Sequence, residues 1–248
     1  MRLGRQSLSK ILDKSRHWRP SASAISGTGT LEQAGTSTTT LTGNNTYSGT
    51  TTINTGMFEI TTGGRLGGGN YSGNIVNSGT FVYAGTNNQT LGGVISGTGA
   101  LTKNGSSTLT LTGNNTYTGD TTINTGTIEI TTTGRLGGGS YSGNIVNSGT
   151  FAYSGTNNQT LAGVISGTGD LNQNASGLLT LTGVNTYSGA TSISSGTLVI
   201  SGAGQLGSGN YSGSISNSGA FVYASSASAD TRSGRSTAGA TANVPPMQ

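Results

Sequence analysis

The sequence predicts an all-β protein wound as a parallel β-helix, and three observations lead there. The chain repeats itself at a 70-residue offset, its short runs alternate at period two, and its composition is too poor in apolar residues for an ordinary core. Gly supplies 45 of 248 residues, about 18 % against a usual ~7 %. Hydrophobic residues make up 30 % and charged residues 7 %, against the usual ~45–50 % and ~25 %. So low a charge argues against a charge-expanded disordered chain. Three prolines exclude collagen, and no apolar run approaches the ~18 residues of a membrane helix. Such a chain gains stability by stacking copies of one unit on the next.

The repeat is explicit. GNNTYSGTTTINTG begins at Gly43, GNNTYTGDTTINTG at Gly113 and GVNTYSGATSISSG at Gly183. GRLGGGNYSGNIVNSGTFVY at Gly64 returns in altered form at Gly134 and Gly204, and VISGTGALTK at Val94 returns as VISGTGDLNQ at Val164. Nearly three copies occupy residues 25–224. Within a copy a shorter pattern recurs: a β-branched residue, small polar residues, a glycine, then alternating apolar positions. One copy shows it ending at Lys103, Ile130 and Tyr153. The marking glycines are Gly29, Gly56, Gly79, Gly99, Gly126, Gly149, Gly169, Gly196 and Gly219, and their intervals rotate through a long, a middle and a short step. A unit averaging about 23 residues is too short for a propeller blade of ~40–45 and suits one turn of a coil.

Strands are predicted at Thr127-Ile128-Glu129-Ile130 and Thr150-Phe151-Ala152-Tyr153, which alternate at period two. Thr, Ile, Val, Tyr and Phe dominate such runs and suit a pleated surface. Gly-Asn, Ser-Gly and Thr-Gly pairs supply the turns between them. No proline falls between Ala24 and Ser225 to delete a ladder hydrogen bond. Nine corner glycines predict about nine turns at ~4.8 Å each, a rod of about 43 Å. That spacing places Phe81, Phe151 and Phe221 in one inward slot, three turns apart, and Phe58, Ile128 and Leu198 in a second. Asn54, Asn77, Asn124 and Asn147 stand two residues before corner glycines, where an Asn side chain bonds its own backbone.

The ends differ from the body. Residues 1–20 carry a net +5, residues 21–224 a net −2 and residues 225–248 a net +1, together the formal +4. The basic character belongs to a short head, so the charge does not indicate a nucleic-acid partner. The head, residues 1–24, and the Ser/Ala/Thr-rich tail, residues 225–248, are expected to be disordered around a 25–224 solenoid. Cysteine is absent, which excludes disulfides, zinc–thiolate sites and thiol catalysis.

LTGNNTYSGTTTINTGMFEI at residues 41–60 resembles the passenger-associated transport repeat of bacterial autotransporters. TLTLTGNNTYTGDTTINTGTIEI at 108–130 and LLTLTGVNTYSGATSISSGTLVI at 178–200 are similar to it in the same way, and GTGALTKNGSS at 97–107 fits its lead-in. The resemblance implies a right-handed parallel β-helix in a secreted or surface-exposed passenger domain. It also implies a role in type V export and an outer-membrane β-barrel translocator in the parent protein. Residues 1–24 lack the apolar stretch of a signal peptide, and residues 225–248 lack the ~10-residue alternating segments of a barrel. The chain is therefore read as an internal passenger fragment, a truncated product or a mis-called frame. The leading function is a structural rod without enzymatic activity. The alternatives are an adhesin-like module engaging glycans or host surfaces and, behind it, a carbohydrate-active β-helix enzyme.

No residue is assigned a catalytic, cofactor-binding or metal-binding role. His17, the only histidine, falls in the head. A polysaccharide hydrolase needs two carboxylates ~5–9.5 Å apart. Glu59 and Glu129 occupy equivalent positions in successive copies, three turns or about 14 Å apart, and are expected to face solvent. Asp120 and Asp170 are single. The glycine runs at Gly67 and Gly137 lack the Lys-Ser/Thr and the helix of a phosphate loop, and are expected to form tight or bulged loops. Thr runs at 38–40, 50–52 and 131–133 raise an ice-binding face, which an uneven unit length disfavours. Tyr47, Tyr117 and Tyr187 form either a stacked ladder in the coil or, if exposed, a sugar-binding stripe.

Overall fold

A computed structural model describes residues 24–227 as a parallel β-solenoid of about ten turns. The 228–248 stretch and all but the last residue of the 1–24 head, with the disorder expected there and with His17, lie outside the described residues. Short strands follow from the alternating sequence. Thr121–Ile123 turns Thr121 and Ile123 inward and Thr122 outward, and Thr127–Thr132 buries Ile128 and Ile130 on either side of Glu129. Every strand pairing among the described residues is parallel, each strand bonding to its equivalents one turn before and one turn after.

The ladders form three faces around one apolar core. One face begins with Leu31–Gln33, Thr51–Ile53, Ile75–Asn77 and Ile95–Ser96. It continues through Tyr117 N to Ile95 O (3.2 Å), Asn115 N to Arg135 O (2.9 Å) and Leu136 N to Gln159 Oε1 (2.8 Å). It ends with Gln159–Leu161, Leu178–Leu181, Thr197–Gly202 and Ala220–Ser225. The second face is a seven-stranded sheet from Thr38–Leu41 to Ile165–Ser166, and the third an eight-stranded sheet from Asn70–Tyr71 to Ile215–Asn217. Inward side chains of all three faces join a single cluster of Leu, Ile, Phe and Tyr.

The turn is shorter than the glycine spacing predicted. Leu31, Thr51, Ile75 and Ile95 stack in one column, so three turns are already complete at Ile95. The chain then rounds one more corner to Leu101, the equivalent of Leu31, which stands on the second face between Phe81 and Thr121. Leu171 stands on the third face between Phe151 and Thr191. One 70-residue copy therefore makes three turns and a further third of a turn. The expected slots are corrected accordingly. Phe58 and Phe81 are direct neighbours on the second face, their ring centroids 6.2 Å apart. Ile128 and Phe151 pair on the third face, and Leu198 and Phe221 on the first.

Turns are not all of one length. Most are short, as between the stacked pairs Leu101↔Thr121 and Thr38↔Met57, and one in each copy is longer, as between Thr51↔Ile75 and Phe58↔Phe81. The longer turn contains Gly67–Gly69, whose φ values of 56°, 66° and 105° all lie in the left-handed region. A run of such residues forms a local bulge at little steric cost only as glycine, and the expected bulged loop is what forms. Corners close tightly elsewhere: a Cβ on Gly119 would lie 2.3 Å from the Gly99 carbonyl oxygen one turn earlier.

Candidate functional site

The interior is not purely apolar, and its polar groups are arranged as repeated, satisfied networks. Tyr117 and Thr121 are both buried, with Oη and Oγ1 2.7 Å apart, and Thr121 Oγ1 lies 2.8 Å from Tyr141 Oη. Tyr141 donates to the Gly119 carbonyl, which fixes the direction of the chain: Tyr117 donates to Thr121, and Thr121 to Tyr141. The same relay recurs through Tyr47, Thr51 and Tyr71, and through Tyr187, Thr191 and Tyr211. The rings meet edge-on, Tyr117 and Tyr141 at 5.4 Å between centroids. Burial pushes Tyr47, Tyr117 and Tyr187 well above their ordinary pKa, and raises Tyr141 to about 12. These tyrosines are a ladder in the core, and the exposed sugar-binding stripe does not exist.

Asn and Gln side chains splice the faces together where strand pairing lapses. Asn115 donates to the Gly113 and Arg135 carbonyls at 2.9 and 3.1 Å and accepts from Ile95 N at 2.9 Å. Gln159 accepts from Leu136 N at 2.8 Å and donates to Leu136 O at 3.0 Å. Of the corner asparagines, Asn77 and Asn147 accept from Gly79 N and Gly149 N as the sequence suggests. Asn54 instead donates to Glu32, and Asn124 to Asn104, each on the preceding turn.

Lys103 is fully buried, and sequence reading passed over it. Its Nζ donates to the Gly105 carbonyl and sits 5.6 Å from the Tyr83 ring centroid. Burial lowers its pKa from 10.5 to about 8. Its equivalents are Gln33 and Gln173. Gln33 Nε2 donates to Gly35 O at 2.8 Å and Ser37 O at 2.9 Å, a turn-closing role that an ammonium performs at the cost of a buried charge. The signal was available: Lys103 stands two residues after Leu101, at inward parity.

The carboxylates do not converge. Glu59 lies on the second face beside Thr40 and Val82, while Glu129 lies on the third face, where it accepts from Ser154 Oγ at 2.8 Å. They are not three turns apart in one column, as expected, because successive copies rotate by one face. Asp120 accepts from Asn144 N and Asp170 from Ala190 N, both at 2.8 Å, so each caps a backbone donor of the following turn. Among the described residues no three His, Cys, Asp or Glu side chains are grouped as a metal site would need. No helix there is long and apolar enough to cross a membrane. The Thr runs are split by the pleat, with Thr51 buried and Thr50 and Thr52 only half-buried.

Three segments match one family model, the passenger-associated-transport-repeat, at residues 31–60, 101–130 and 173–200. The chain carries three passenger-associated transport repeats. Comparison with curated proteins and with solved structures gives no match. The matched segments hold the residues that close the coil. Leu101, Leu111, Tyr117, Thr121, Ile123, Ile128 and Ile130 of the second segment are all buried, with Asn115 at the splice between faces. The repeat signature is thus a packing signature, and the parallel solenoid fits an autotransporter passenger domain.

Proposed function

We propose that this chain serves as the structural rod of an autotransporter passenger, on or outside the cell surface, supporting export and holding other parts of the passenger away from the membrane. The observation that carries this reading is the placement of the family's repeated residues: they line the core and corners, so what the repeat supplies is a stack of turns. Each turn bonds only to the turns before and after it. Nearest-neighbour stacking of this kind lets folding propagate turn by turn as a chain emerges, and each added turn resists backward sliding. About ten turns at ~4.8 Å give a rod of about 48 Å.

The test is to fuse the chain to a type V translocator barrel in a Gram-negative host and score surface exposure by added protease. A parallel fusion carries Ile123→Asp, which buries a charge in the core. The rod reading expects folded, protease-resistant display of the unaltered chain and a marked loss for the variant. Equal surface display of both would remove folding from export and overturn the proposal.

A further inference from the structure

We infer that the two ends of the solenoid are complementary surfaces, and that a second copy of this chain docks head to tail with its Leu31 stacked on Phe221. Among the described residues the C-terminal end presents an unfinished turn. Phe221 is half-buried and Tyr223 is 39 % exposed, whereas Phe81, Phe151, Tyr83 and Tyr153 at equivalent positions are fully buried. What buries those four from above is the next strand. Thr80–Gly85 is covered by Ala100–Lys103, and Thr150–Gly155 by Asp170–Gln173. Ala220–Ser225 is the third member of that series, and among the described residues nothing pairs with its outer edge.

The N-terminal end carries the missing strand. Residues 30–33 are the 70-residue equivalents of Ala100–Lys103 and Asp170–Gln173, and among the described residues Leu31–Gln33 is likewise unpaired on its outer edge. The glycines beside it show the same opening. A Cβ on Gly97 or Gly99 would meet Asn77 O at 2.1 Å or Gly79 O at 2.3 Å, and Gly167 and Gly169 are as close to Asn147 O and Gly149 O. At Gly27 and Gly29 a Cβ would meet nothing within 4 Å. Asn217 and Gly219 are the residues that would complete the series, and Asn217 Oδ1 already accepts from Gly219 N as Asn77 and Asn147 do from their glycines.

Register and rotation both agree. The established pairs Phe81↔Leu101 and Phe151↔Leu171 set the docked pairs as Phe221 with Leu31, Val222 with Glu32 and Tyr223 with Gln33 of the second copy. Ala220–Ser225 and Leu31–Gln33 lie on the same face, so the second copy enters without rotation about the axis and continues all three ladders. Such a contact is heterologous and does not close, so it yields linear assemblies.

Two measurements on the full-length chain test this. Sedimentation velocity over a concentration series should show the 24.6 kDa chain giving way to dimer and longer species. Gly29→Ala should abolish that association while leaving thermal unfolding at low concentration unchanged, because its methyl group meets open space in the single chain and a carbonyl in the stack. Separately, a chain with Glu32→Cys is mixed with a chain with Val222→Cys under mild oxidation. Parallel register puts their Cα atoms ~4.8 Å apart, within disulfide reach, so the mixed disulfide should predominate. Replacing Val222→Cys by Ala224→Cys sets the partner two residues out of register and should lose the product. A monomer at every concentration with no mixed disulfide overturns the inference, as does association that Gly29→Ala leaves intact. Dominant Glu32→Cys homodimers would show head-to-head pairing and also overturn it.

Discussion

Replacing Lys103 by glutamine should stabilise this protein at neutral pH. Burial alone lowers the lysine from 10.5 to about 8. At ~1.4 kcal/mol per unit that corresponds to a penalty of about 3 kcal/mol while the group is charged. Glutamine occupies the same position in the other two copies. There Gln173 Nε2 donates to the Ala175 carbonyl at 3.0 Å and also to Gly177. Lys103→Gln keeps the turn-closing donor and removes the charge, giving up the contact with the Tyr83 ring, worth ~0.5–1 kcal/mol. The new Oε1, like that of Gln173, is buried without a donor and costs about 1 kcal/mol or more, so the expected net gain is at most about 1.5 kcal/mol at pH 7. Because the folded protein releases this proton at lower pH than the unfolded chain, the penalty is complete below about pH 8 and is relieved as pH rises toward 10.5. Urea unfolding followed by circular dichroism at pH 7 and pH 10 should therefore show a gain for the variant that shrinks at the higher pH. A variant less stable than the parent at pH 7, or equally stabilised at both, would refute this account of the buried ammonium.

The other expectations are structural as well. Gly119→Ala sets a methyl group 2.3 Å from the Gly99 carbonyl, and should cost about 3 kcal/mol or more by overpacking the corner; differential scanning calorimetry checks it. Tyr117→Phe removes the first donor of a relay and should cost about 1–2 kcal/mol, read from the urea midpoint. Tyr47, Tyr117 and Tyr187 stay neutral in the fold well above their ordinary pKa. Their contribution is full below about pH 10 and lost as pH rises further, so a tyrosinate absorbance titration should show them ionising only together with unfolding. Ile123→Ala, a cavity at the centre of a column, should cost about 2–5 kcal/mol, again read from the urea midpoint.

Much of the chemistry at the corners and in the core was legible in the residues themselves. The inward parity of Ile128 and Ile130, the bulge at Gly67–Gly69 and the own-backbone bond of Asn77 each follow from local rules. Lys103 was legible by parity and was overlooked because a charged residue is seldom assigned to a core. Asn54 and Asn124 were misread for a different reason: a side chain at a corner can bond within its turn or across to the preceding one, and only the stacked neighbour decides.

By itself the sequence determined the 70-residue repeat, the all-β class and the parallel coil. A repeat length is a sum, however, and one copy divides equally well into three long turns or into three and one-third shorter ones. Only the tertiary structure chose between them, because the length of a turn is set by where the chain can close against the ladder of the turn beneath. That closure comes earlier than the corner glycines imply, so each copy advances by one extra face. Ile128 thereby leaves the face on which Phe58 rests on Phe81, and Glu59 and Glu129 part onto separate faces. Both outcomes depend on non-local hydrogen-bond register, which no local residue pattern encodes.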